Sequence, residues 1–145
     1  MIRDPESFQI FLNEIRRWVK EVAMPAEARV EAEDQIPEEL VEQMRDLGFF
    51  GWSIPEQFGG AGLTAEELVL AAMELSQCAT AFRARVGTNT GIGSEALVAD
   101  GTEEQKARYL PSLASGEVTG CFALTEPEAG SQATALRTRA VRDGD

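Results

Sequence analysis

Up to about residue 115 the apolar residues recur at three- and four-residue steps, and beyond it they alternate. Phe8, Phe11, Leu12, Ile15, Trp18, Val19 and Val22 predict an amphipathic helix, opened by Asp4 as N-cap and Pro5 at its first position. Pro25 is expected to interrupt it, leaving Glu27 to Asp34 as a polar helical or irregular connection. A second helix is predicted from Pro37-Glu38-Glu39, burying Leu40, Val41, Met44 and Leu47 and stopping at Gly48. Phe49, Phe50, Trp52 and Ile54 then crowd ahead of Pro55 and the loop Gly59-Gly60-Ala61-Gly62, as core aromatics feeding a turn.

Thr64 and Glu67 form a capping box, after which Leu68, Val69, Ala71, Ala72, Leu75, Cys78, Ala79 and Phe82 predict one long helix. It is apolar around most of its circumference, as suits the middle of a bundle. Gly87, Gly91 and Gly93 are expected to loosen the next segment before Ala96, Leu97 and Val98 resume a helix ending at Gly101. A second capping box, Thr102 with Gln105, starts a short helix closed by Pro111. After Ser115-Gly116, the stretches Val118 to Leu124 and Leu136 to Val141 have strand character. The fold class is therefore mainly α, a helical domain over 1–115 followed by a β segment over 116–145 that has too few strands to bury a face.

Composition narrows the function. With 145 residues and 43% hydrophobic content, the chain can bury a core. A net charge of −12 disfavours nucleic acid or an anionic membrane surface as the main partner, the one loose basic cluster being Arg137, Arg139 and Arg142. Histidine is absent and the two cysteines, Cys78 and Cys121, are far apart, which argues against a soft metal site and for two small core residues in a reducing compartment. Asp4 and Glu6 stand where a targeting peptide needs basic residues, and no apolar run reaches membrane-spanning length, so a soluble cytoplasmic protein without membrane insertion is expected.

Most candidate motifs have ordinary explanations. Gly91-Ile92-Gly93-Ser94-Glu95-Ala96 fits a loose dinucleotide fingerprint, but Phe82 to Val86 before it continue a helix where that motif needs a strand. The acidic run from Glu27 is a solvated helix face, and Arg83 and Arg85 suit a helix C-terminus, although an anionic substrate would also meet them there. The segment Phe122 to Ser131 differs. Strand-forming Phe122, Ala123, Leu124 and Thr125 lead through Pro127 into Ala129-Gly130-Ser131, offering main-chain groups and two hydroxyls to a flat polar ligand.

Three stretches in order, Leu47 to Gly62, Gly101 to Pro111 and the Thr125-Glu126-Pro127 loop, resemble the N-terminal part of the acyl-CoA dehydrogenase family. The resemblance implies a helical domain over 1–115 and, over 116–145, the first strands of an incomplete middle β domain. It implies FAD as cofactor, with Phe122, Ala123, Leu124, Thr125 and Ser131 binding it. It implies an acyl-CoA substrate contacted by Ser131, Thr88 and Ile92, electron-transfer flavoprotein or a similar acceptor as partner, and a homodimer or homotetramer at full length. The implied reaction is α,β-dehydrogenation of an acyl thioester, in which a carboxylate takes the α-proton and the flavin takes the β-hydride. That carboxylate belongs to a C-terminal helical bundle in the family, so none here is assigned a catalytic role and the 145-residue chain alone is expected to be inactive. Gln132 departs from the pattern, standing where many members carry aspartate. Flavin oxidases and monooxygenases share the scaffold, and a non-enzymatic helical assembly module is the third alternative.

Overall fold

In a computed structural model that describes residues 1–144, α1 (Pro5–Trp18) runs through a π-helical turn, Val19–Ala23, directly into α2 (Met24–Glu33). Asp4 caps α1 by accepting the Glu6 and Ser7 amides, as its position predicts. Pro25 does not break the helix. The Met24 N–H bonds back to the Val19 carbonyl, five residues away, and this shift of register falls where proline has no donor to offer.

Helix α3 (Glu38–Asp46) ends at Gly48, whose φ of 69° is the left-handed conformation that glycine adopts at low cost. The aromatic wedge follows. Phe49, Phe50 and Trp52 are all buried, with the Trp18 ring edge-on to Phe49 and to Phe82 at 5.3 and 5.5 Å between centroids. The glycine loop folds back onto the wedge through Ala61 N–H to Gly51 O, Gly62 N–H to Ile54 O and Leu63 N–H to Trp52 O. Gly60 has no alternative there, since a Cβ would stand 2.0 Å from the Ile54 carbonyl oxygen.

Both capping boxes form, at the starts of α4 (Ala65–Leu75) and α7 (Glu103–Ala114). The long helix predicted through Phe82 is instead two, α4 and α5 (Thr80–Gly87). The Cys78 thiol donates to the Leu75 carbonyl and the Glu27 carboxylate accepts the Ala79 N–H at 2.6 Å, so the break is capped partly from α2. Only part of α4 is covered, with Ala71 and Leu75 inside and Val69 and Met73 exposed. The three glycines do not loosen the chain after α5. A second π-turn, Thr88–Ile92, continues it and Gly93 N–H closes on Thr88 O before α6 (Glu95–Asp100).

Helix α7 passes through Pro111 to Ala114 rather than stopping there. A proline inside a helix costs about 3 kcal/mol, whereas burying Leu110 and Leu113 under Ile54 returns roughly 1.5–3 kcal/mol each. Beyond Gly116 no strand forms among the described residues, and the sole β pairing is an isolated bridge between Glu126 and Ala129. Val118–Leu124 and 136–141 have strand character but no ladder partner, and an unpaired strand has nothing to hold it.

Candidate functional site

The site begins where the chain leaves the helices. Gly116 adopts φ 73° with its α-carbon hard against Phe50, where a Cβ would lie 2.3 Å from the ring, and its carbonyl accepts from Arg45 Nε at 3.1 Å. Arg85 donates to the Thr119 hydroxyl at 2.7 Å while its guanidinium lies over the Phe50 ring. Asn89, buried in the π-turn, bonds to both sides of the same exit turn, through Val118 O and Gly120 N–H. These contacts hold residues 116–120 to the helices, and the remainder of the segment is free of them.

From Cys121 to Thr125 no main-chain N–H or carbonyl is hydrogen-bonded among the described residues, and the hydroxyls of Thr125 and Ser131 have no partner either. Phe122 is 61% exposed, and Ala123, Thr125 and Ser131 are exposed, with Leu124 half-buried. Cys121, expected in the core, is exposed because no sheet covers it. The following turn is firm. Glu126 and Ala129 exchange main-chain bonds, and the Glu126 carboxylate accepts the amides of Arg137 and Thr138 at 2.9 and 2.7 Å and the Thr138 hydroxyl. Those bonds, the Thr138 hydroxyl foremost, hold the Glu126 carboxyl below its usual pKa.

A cleft of about 290 Å³ opens beside the π-turn, lined by Trp52, Leu68, Leu75, Val86 and Ile92, with Arg83 its charged residue. The Arg83 guanidinium lies over Gly87, whose Cβ would stand 3.4 Å from Nη1, and makes no ion pair among the described residues. The indole N–H of Trp52 is buried without an acceptor among the described residues. Ile92, 59% exposed, sits at this cleft, whereas Thr88 lines a separate depression with Arg85 and gives its hydroxyl to Ala84 O. The structure therefore places the two predicted substrate contacts, Thr88 and Ile92, in different depressions. Sequence reading missed Asn89 as an anchor. Its signal was a single amide between two threonines, bracketed by Gly87 and Gly91.

The segment thus leaves the helical domain from an anchored turn, with its main chain open from Cys121 to Thr125 among the described residues. The family model described as Acyl-CoA dehydrogenase, N-terminal domain, matches residues 5–117. The chain belongs to the acyl-CoA dehydrogenase family, a family of FAD enzymes, and carries its N-terminal helical domain. It is 40% identical over 141 residues to (2S)-methylsuccinyl-CoA dehydrogenase of Cereibacter sphaeroides, covering 97% of this chain and 26% of the relative. Among solved structures it resembles glutaryl-CoA dehydrogenase from Mycobacterium smegmatis, with a TM-score of 0.81, 34% identity and coverage of 99% of this chain and 37% of that one. It also resembles an acyl-CoA dehydrogenase complexed with FAD from Bacillus anthracis, with a TM-score of 0.79, 32% identity and coverage of 92% and 23%. The chain thus spans about a quarter of the length of the curated relative.

Proposed function

We propose that this chain forms one wall of a flavin site in a dehydrogenase that oxidises the α,β-bond of an acyl-CoA thioester. The observation that carries the reading is the run Cys121–Thr125, whose unengaged main-chain groups lie next to the free hydroxyls of Thr125 and Ser131. A polar ring edge needs such groups, and the residues fit it: Phe122, Ala123, Leu124 and Thr125 would lie along the flavin, with Ser131 closing the loop near flavin or thioester. FAD there supplies a hydride acceptor for the β-carbon. Thr88 and Ile92 remain proposed substrate contacts, Ile92 through the cleft. The base that takes the α-proton, the electron acceptor and the oligomeric assembly are proposed to follow the family, with the base outside residues 1–145.

In the full-length protein that carries this chain, the visible absorbance of the oxidised flavin is expected to bleach on anaerobic addition of acyl-CoA. A colourless protein would overturn the reading, and rapid reoxidation of the bleached protein by air would replace it with a flavin oxidase or monooxygenase. The 145-residue chain alone is expected to bind FAD weakly and to reduce no dye with acyl-CoA.

Arg83 supports a finer proposal, that the acyl group carries a carboxylate at its far end. The guanidinium is the charge at an otherwise apolar cleft, and a planar fork suits a carboxylate. Two of the matched proteins are named for methylsuccinyl and glutaryl thioesters, both dicarboxylic. Replacing Arg83 by Gln is expected to lower kcat/KM for such a thioester by about 10- to 100-fold, the size of a charged hydrogen bond. A straight-chain acyl-CoA of equal length should change by only about twofold. Equal losses on both substrates would refute the carboxylate contact.

A further inference from the structure

We infer that Asn89 is the positioning residue that fixes the flavin-facing segment to the helical domain, an inference that rests on the flavin reading above. The residue is 1% exposed, and its carboxamide makes three hydrogen bonds to main chain distant in sequence. Nδ2 donates to Leu113 O at 2.9 Å and to Val118 O at 2.8 Å, and Oδ1 accepts the Gly120 N–H at 2.9 Å. Both amide protons and one oxygen lone pair are thereby used.

The pair Val118 O and Gly120 N–H is what a neighbouring strand would engage, because alternate residues of an extended chain present their carbonyl and amide to the same side. The Asn89 side chain offers the N–H and C=O that one residue of a neighbouring strand would supply. Its geometry is specific. An aspartate would set carboxylate oxygen against the carbonyls of Leu113 and Val118, and an apolar residue would leave Val118 O and Gly120 N–H unpaired, Leu113 O keeping the Gly116 N–H.

A second contact fixes the same point from another direction. Gly93 and Gly120 meet backbone to backbone, so that a Cβ on Gly120 would stand 2.7 Å from Gly93 Cα and one on Gly93 would stand 3.0 Å from Gly120 Cα. The unengaged main chain begins directly after this anchor, at Cys121. Any slip at Gly120 is carried into Phe122–Thr125, so Asn89 acts on the flavin through the segment and does not touch it.

The test uses Asn89→Ala, Asn89→Asp and, as a variant that leaves the carboxamide in place, Gly120→Ala. In the 145-residue chain, amide exchange at Gly120 is expected to quicken at least tenfold in both Asn89 variants, with helix content by circular dichroism unchanged. In the full-length FAD-bearing protein, the visible circular dichroism of the bound flavin is expected to change and the Kd for FAD to rise at least fivefold. Gly120→Ala should shift the flavin signal as well, and it carries the test if the Asn89 variants lose their helices. Unchanged exchange at Gly120, or an unchanged flavin spectrum and Kd in a yellow protein, overturns the inference alone. A colourless wild type overturns the flavin reading and this inference together.

Discussion

Glu67 is a carboxylate almost wholly out of solvent that nevertheless stays charged. Its oxygens accept the amides of Arg3 and Thr64 at 2.9 and 2.8 Å, and these bonds, with the Arg3 guanidinium 3.4 Å away, pull its pKa from 4.5 to about 2. Because the folded pKa is the lower one, the unfolded chain binds more protons between pH 4.5 and about 2. The contribution is therefore complete above 4.5 and is lost as pH falls through about 2. Acid titration of unfolding should show Glu67→Gln less stable than the wild type at neutral pH and the gap closing across that window. The cysteines make a second contrast. Burial, helped by the Glu27 charge, raises the Cys78 thiol to about 11, while Cys121 is exposed, so alkylation at pH 8 should label Cys121 and spare Cys78, as peptide mass mapping would show. The Thr64–Glu67 capping box is legible in the sequence because its partners are three residues apart. The Arg3 bond to the same carboxylate is not, because 64 residues of chain separate them.

At the level of elements, the sequence identifies helices well and their breaks poorly. Apolar spacing shows where a helical face lies, but Pro25 and Pro111 lie inside helices, through a π-turn at one and buried leucines at the other. The break between α4 and α5 has no local breaker, since its tertiary cap comes from Glu27 on α2. Replacing Glu27 by Ala is expected to cost about 1 kcal/mol, the usual size of a lost cap, read as a lower urea midpoint at unchanged slope. The same change should ease Cys78 ionisation, because the Glu27 charge contributes to holding the thiol protonated. The exit turn is equally dependent on tertiary contact. Gly116→Ala would force a positive φ and drive a methyl into Phe50, an expected loss of about 1–3 kcal/mol by the same measurement.

At the scale of the molecule, the helical domain and its family were legible because three motifs in order point the same way, and the core they predict is present. The β segment was legible only as a tendency, since a strand is a property of a pair and residues 118–120 meet side chains of the helical domain instead. The unengaged peptide groups of residues 121–125 carry one more consequence. A protease binds its substrate as an added strand, reading the main chain of several successive residues, so exposed, extended and unbonded chain is what it cuts first. Chymotrypsin should therefore nick this protein after Phe122 before touching the buried aromatics, and in the full-length protein FAD should slow that cut.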